Sequence, residues 1–148
     1  MKKRLYEKYC NLVNETADFI EKYFENIVPA GKIDQNVNLW TKDIYAKAEK
    51  LLEEGRYSEM EDVLENYVDY SMEYFRNNTV GQTLEVDRRS CCSTILNTVQ
   101  MVANITILLD ASGYEPAAKV AEWLHLDKSL QVHGVRSGYE VAKLERLQ

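Results

Sequence analysis

Apolar residues recur at helical spacing along most of this chain. In residues 3–28, Leu5, Tyr9, Leu12, Thr16, Phe19, Ile20, Tyr23 and Ile27 share one side, and Tyr6, Val13, Ala17 and Phe24 widen it. At about 100° per residue that face spans about 180°, broader than a coiled-coil seam. Pro29 and Gly31 stop the pattern. A second helix, about 39–54, turns Trp40, Ile44, Ala48, Leu51 and Leu52 inward, with Asn36 or Asn38 as N-cap and Gly55 as the closing residue. A third, about 57–77, has Met60, Val63, Leu64, Tyr67, Val68, Ser71, Tyr74 and Phe75 on its inner face. Further on, Pro116 opens a helix of about 116–126, and weaker patterns predict a short helix from Asp127 to Val132 and a last one over about 138–147.

The chain is organised around Ser90–Leu109, a charge-free run bounded by Arg88, Arg89 and Asp110. Its polar residues are too many for a typical membrane span. They are also one-sided: Ser93, Asn97, Gln100 and Asn104 form a narrow uncharged stripe on an otherwise apolar cylinder. The pattern predicts a buried central helix over about 84–112, ending at Gly113. No segment alternates as a strand would. The fold class expected is all-α, a single-domain bundle of five to six helices over residues 1–148. Gly55-Arg56-Tyr57 resembles the turn of a tetratricopeptide hairpin, but no second copy follows about 34 residues on, so it supports a short antiparallel helix pair only.

Composition adds compartment and charge. Two prolines and six glycines fit an ordered helical domain. No apolar run follows Met1-Lys2-Lys3-Arg4, so no signal peptide is read. Three cysteines, two of them adjacent (Cys10, Cys91, Cys92), do not make a disulfide framework and point to a reduced, cytoplasmic location. The net charge is −6 and unevenly spread: residues 56–87 hold two bases against eight acids. Such a balance predicts no direct nucleic acid and no membrane as partners. The basic first turn Lys2-Lys3-Arg4 opposes the dipole of its helix, so it either frays or meets an acidic group elsewhere.

The chemistry-bearing residues are sparse. Cys91 and Cys92 with His125 and His133 lack zinc-site spacing. Glu122 and His125 satisfy one Glu-x-x-His spacing, where a di-iron bundle needs two. No nucleophile motif and no Gly-rich phosphate loop occurs. The sequence therefore predicts no enzyme, no cofactor and no metal. Ala117–Leu126, a break, then Leu130–Gly138 have the outline of a helix-turn-helix, but residues 113–148 hold as many acids as bases, which gives no basic footprint.

Two features remain. The third helix repeats acid at i+4: Glu61, Glu65, Asp69 and Glu73, with Tyr70 at the border of its apolar face. Like charges at that spacing repel, so the row predicts a docking stripe for a protein partner with a basic surface. The uncharged stripe Ser93, Asn97, Gln100 and Asn104 predicts an oligomer seam. The expected function is a small acidic binding protein acting on another protein: a regulator, adaptor, or inhibitor of immunity or anti-defence type. The alternatives are a self-assembling helical protein, dimeric or larger, and a ligand- or metal-binding bundle.

Overall fold

The wide apolar face of the first segment does form a helix, α1 (Lys3–Phe24), which buries Leu5, Tyr9, Leu12, Val13 and Ile20. The computed structural model describes residues 2–78, 88–126 and 147. α1 ends at Phe24 rather than near position 28 because Glu25 and Asn26 both adopt the left-handed conformation, and Asn26 donates back to the Ile20 carbonyl. Asn is one of the few residues that accept that conformation cheaply.

α2 (Gln35–Glu53) starts earlier than its apolar pattern suggests. Its N-cap is Asp34, whose carboxylate accepts from the Asn36 and Val37 backbone N–H groups at 2.9 and 3.2 Å. Neither Asn36 nor Asn38 caps it. Gly55, at φ 74°, closes the helix and leads into α3 (Tyr57–Asn78). α4 (Arg88–Ala111) is the central helix, and α5 (Glu115–Trp123) follows with proline in its first turn. Among the described residues there are five helices and no strand, so the all-α bundle is as the sequence predicts. The expected starts of the central helix near 84, the helices over 127–132 and 138–147, and the helix-turn-helix outline lie wholly or partly outside the described residues.

α4 packs against each of the other four helices. It is the one described helix long and apolar enough to cross a membrane, with a mean hydropathy of 1.5, yet 83% of that window is buried inside the bundle. Its length and apolarity serve the core. Burying such a surface is the dominant favourable term in folding. Four buried polar side chains pair with one another: Tyr9 and Thr106 share a hydrogen bond of 2.7 Å, and Tyr67 donates to Thr41 at 2.9 Å. Leu147 is pinned to α1 by one side chain, since Asn14 accepts from its N–H and donates to its carbonyl.

Candidate functional site

The acidic row of α3 is turned towards α1. Glu61 is buried, accepting from the Lys2 backbone N–H at 3.1 Å and from the Tyr6 hydroxyl at 3.5 Å. Lys2 also pairs with Asp62. Glu65 lies 3.5 Å from both Arg4 and Lys8, and Asp69 lies 3.0 Å from Lys8. The basic first turn of α1 thus meets acid on α3, as one of its two expected outcomes required. Tyr70 stacks on Trp40 at 4.1 Å between ring centroids. Glu73 is exposed and takes no part in these pairs. Burial first, then the Glu61 carboxylate, holds the Tyr6 phenol well above its ordinary range. Hydrogen bonding to Asp69 is the first cause that raises the Lys8 ammonium.

The uncharged stripe of α4 is also spent within the chain. Asn97, Gln100 and Asn104 are almost wholly buried and Ser93 is half-buried. Ser93 Oγ accepts from the Lys32 N–H at 2.8 Å. Asn97 accepts from the Asp34 N–H and donates to the Lys32 carbonyl, both at 3.0 Å. Gln100 donates to Asn38 at 3.1 Å, and Asn104 to the Gln100 carbonyl at 2.9 Å. Ser93 and Asn97 form a docking rail for the segment that precedes α2, and Gln100 holds α2 itself.

That docking builds an end of the bundle where exposed bases gather. Lys32, Arg88 and Arg89 are all exposed, and among the described residues Lys32 and Arg89 form no ion pair, while Arg88 lies over the Phe24 ring at 5.0 Å. Two adjoining clefts open there. One, of about 660 Å³, is lined by Lys32, Gln35, Tyr74, Asn78, Arg89 and Ser90 among others. The second, of about 360 Å³ and largely apolar, lies between Ala30, Gly31 and Cys92 and is flanked by the three bases. Among the described residues acid is present but sparser: Asp34 is engaged in capping α2, and Glu25 lines a small cleft with Arg88. Burial first, then Asp34, raises the Tyr74 phenol, and hydrogen bonding with Thr94 and Asn97 partly offsets this. The Tyr74 side chain lines the larger cleft together with Lys32 and Arg89.

The other candidates are not gathered. Cys91 is buried and burial raises its thiol; Cys92 is half-buried. His133 lies outside the described residues. Among the described residues no cluster of three metal-binding side chains forms.

With this geometry in view, the relatives are informative. The chain is similar to one region of methionine–tRNA ligases. It is 30% identical over 116 residues to methionine–tRNA ligase 1 of Alkaliphilus oremlandii, covering 78% of this chain and 22% of that enzyme. It is 32% identical over 102 residues to methionine–tRNA ligase 1 of Bacillus cereus, covering 69% of this chain and 19% of that enzyme. The chain therefore spans about a fifth of the length of the curated relatives it matches. No family model matches it. Two solved structures share the fold: Mycobacterium tuberculosis methionyl-tRNA synthetase in its free state, with a TM-score of 0.62 at 18% identity, and the same enzyme with methionyl-adenylate, with a TM-score of 0.69 at 17% identity. They cover 93% and 97% of this chain and, in each case, 31% of the solved one.

This similarity to methionine–tRNA ligases overturns two expectations. The first is the protein-partner regulator, inhibitor or adaptor acting through the acidic helix 57–77. The second is the exclusion of direct nucleic acid. The physical error is shared. Net charge averages over the molecule, whereas ligands meet a local surface. Much of the acid in 56–87 is neutralised across the α1–α3 contact, and a group of exposed bases, Lys32, Arg88 and Arg89, sits at another end. The similarity also accords with a soluble protein. The sequence reading does not single out Lys32, Arg88 and Arg89. The signal available was the Arg88-Arg89 pair bounding the charge-free run, together with a lone lysine in a loop.

Proposed function

We propose that this chain is a tRNA-binding helical module of the kind contained within methionine–tRNA ligases, itself non-catalytic and cytoplasmic. It meets the RNA backbone at the end of the bundle that carries Lys32, Arg88 and Arg89. The observation that carries this reading is the similarity to methionine–tRNA ligase 1 over 78% of the chain. The exposed bases and the Tyr74-lined cleft support it, because cations with a ring beside them suit phosphate and base together. Aminoacylation belongs to the relatives as whole enzymes.

Fluorescence anisotropy with labelled tRNA tests this. Binding at about 50 mM salt should weaken steeply by about 200 mM, since phosphate contacts release counterions. Lys32→Glu combined with Arg89→Glu should remove most of it. Absence of binding to tRNA at low salt, or binding untouched by that double reversal, would reject the proposal or its site respectively.

A further inference from the structure

The bases of this end do not hang on an ordinary loop. The segment before α2 is tied to α4 at both backbone groups of Lys32: its N–H donates to Ser93 Oγ at 2.8 Å, and its carbonyl accepts from Asn97 Nδ2 at 3.0 Å. Asn97 Oδ1 also accepts from the Asp34 N–H at 3.0 Å. One side-chain amide thus offers the segment an acceptor and a donor two residues apart, the pairing a neighbouring strand would offer. Asn97 is 1% exposed and is itself fixed by donating to the Ser93 carbonyl at 2.7 Å. Gly31 allows the close approach, since a Cβ there would stand 2.6 Å from Ser93 Cα. The Lys32 side chain remains exposed, with Arg89 lining the same two clefts.

We infer that Asn97 and Ser93 are positioning residues of the nucleic-acid cleft: they preset the Lys32 ammonium beside Arg89, so the cation pair exists before any ligand arrives. This rests on the tRNA-binding reading above. Neither residue touches the ligand. Their effect on binding passes through Lys32, and a preset cation costs less ordering on association than a free loop would.

The experiment is a cycle of Lys32→Ala, Asn97→Ala and the double variant, with labelled tRNA followed across salt. Ser93→Ala, at a half-buried position, serves where Asn97→Ala fails to fold. Lys32→Ala should weaken binding severalfold and lower the salt slope by about 1. Asn97→Ala should do much the same, and the double variant should bind no worse than Lys32→Ala alone. Multiplying losses, or an unchanged salt slope in a folded Asn97→Ala or Ser93→Ala protein, overturns the inference. Amide hydrogen exchange on the free protein separates the two layers. The Lys32 and Asp34 amides should be protected in the parent, the Asp34 amide fast in Asn97→Ala and the Lys32 amide fast in Ser93→Ala. Fast exchange in the parent refutes the preset segment whatever the RNA result. Protected amides with no tRNA binding to the parent refute the tRNA reading and the positioning role while the rail itself stands.

Discussion

Lys8 on α1 places its ammonium 3.0 Å from the Asp69 carboxylate on α3, 61 residues away in sequence. With Arg4–Glu65, Lys8–Glu65 and Lys2–Asp62 it forms a ladder of opposite charges along one helix–helix contact. The row on α3 is paired with the bases of α1 along most of its length. Its repulsion at i+4 is relieved across the contact.

The Lys8–Asp69 pair is solvent-accessible, so its worth is modest. Asp69→Lys should cost about 0–1 kcal/mol, and Lys8→Glu with Asp69→Lys should recover most of that loss. Urea unfolding of the four proteins gives the coupling energy. It should shrink at about 1 M salt, where screening is nearly complete. A coupling of zero at low salt would remove the ladder from any account of stability.

Glu61 behaves differently because it is buried between Lys2 and Tyr6. Glu61→Ala strips acceptors from groups already withdrawn from water. A loss of about 1–3 kcal/mol is expected, read as a lower urea midpoint with unchanged slope. Glu61→Gln keeps an acceptor and should lie between. A midpoint unchanged by Glu61→Ala would mean that the N-terminal end of α1 is held by other contacts.

Gly31 faces α4 backbone, which cannot swing aside as a flexible side chain would. Gly31→Ala should destabilise by about 1–3 kcal/mol, the usual cost of overpacking. The affinity for tRNA should fall with it, since the same shift carries Lys32 away from Ser93. Thermal melts and anisotropy on one preparation check both. Stability equal to the parent would show that the segment lifts off without cost.

Tyrosine ionisation gives a pH dependence with a definite sign. Burial, then Glu49, pushes the Tyr45 phenol up to about 12 from its ordinary value of 10.0. Burial also raises Tyr9 and Tyr67. The native state keeps protons that the unfolded chain releases, so stability is intact below pH 10 and falls as pH rises through about 12. The urea midpoint at pH 11 should be lower than at pH 8. Phenolate absorbance should show the buried rings ionising only as helicity is lost. Titration of all ten tyrosines near pH 10 with helicity unchanged would contradict this.

The sequence by itself determined the helices and their inner faces. Leu5, Tyr9 and Leu12 on α1, Met60 and Leu64 on α3, and the central burial of α4 all follow from a periodicity that is local to each helix. Gly55 and Gly113 were legible as stops for the same reason, since a left-handed terminus is a property of one residue. Only the tertiary structure decided which polar faces meet. Helical spacing carries no information about a partner some sixty residues away. The acids of α3 could not be known to face Lys2, Arg4 and Lys8, nor Ser93 and Asn97 to hold Lys32. The candidate site follows from those two pairings: one sets the acids of α3 against the bases of α1, and the other holds the Lys32 backbone at the end of the bundle that carries Arg89.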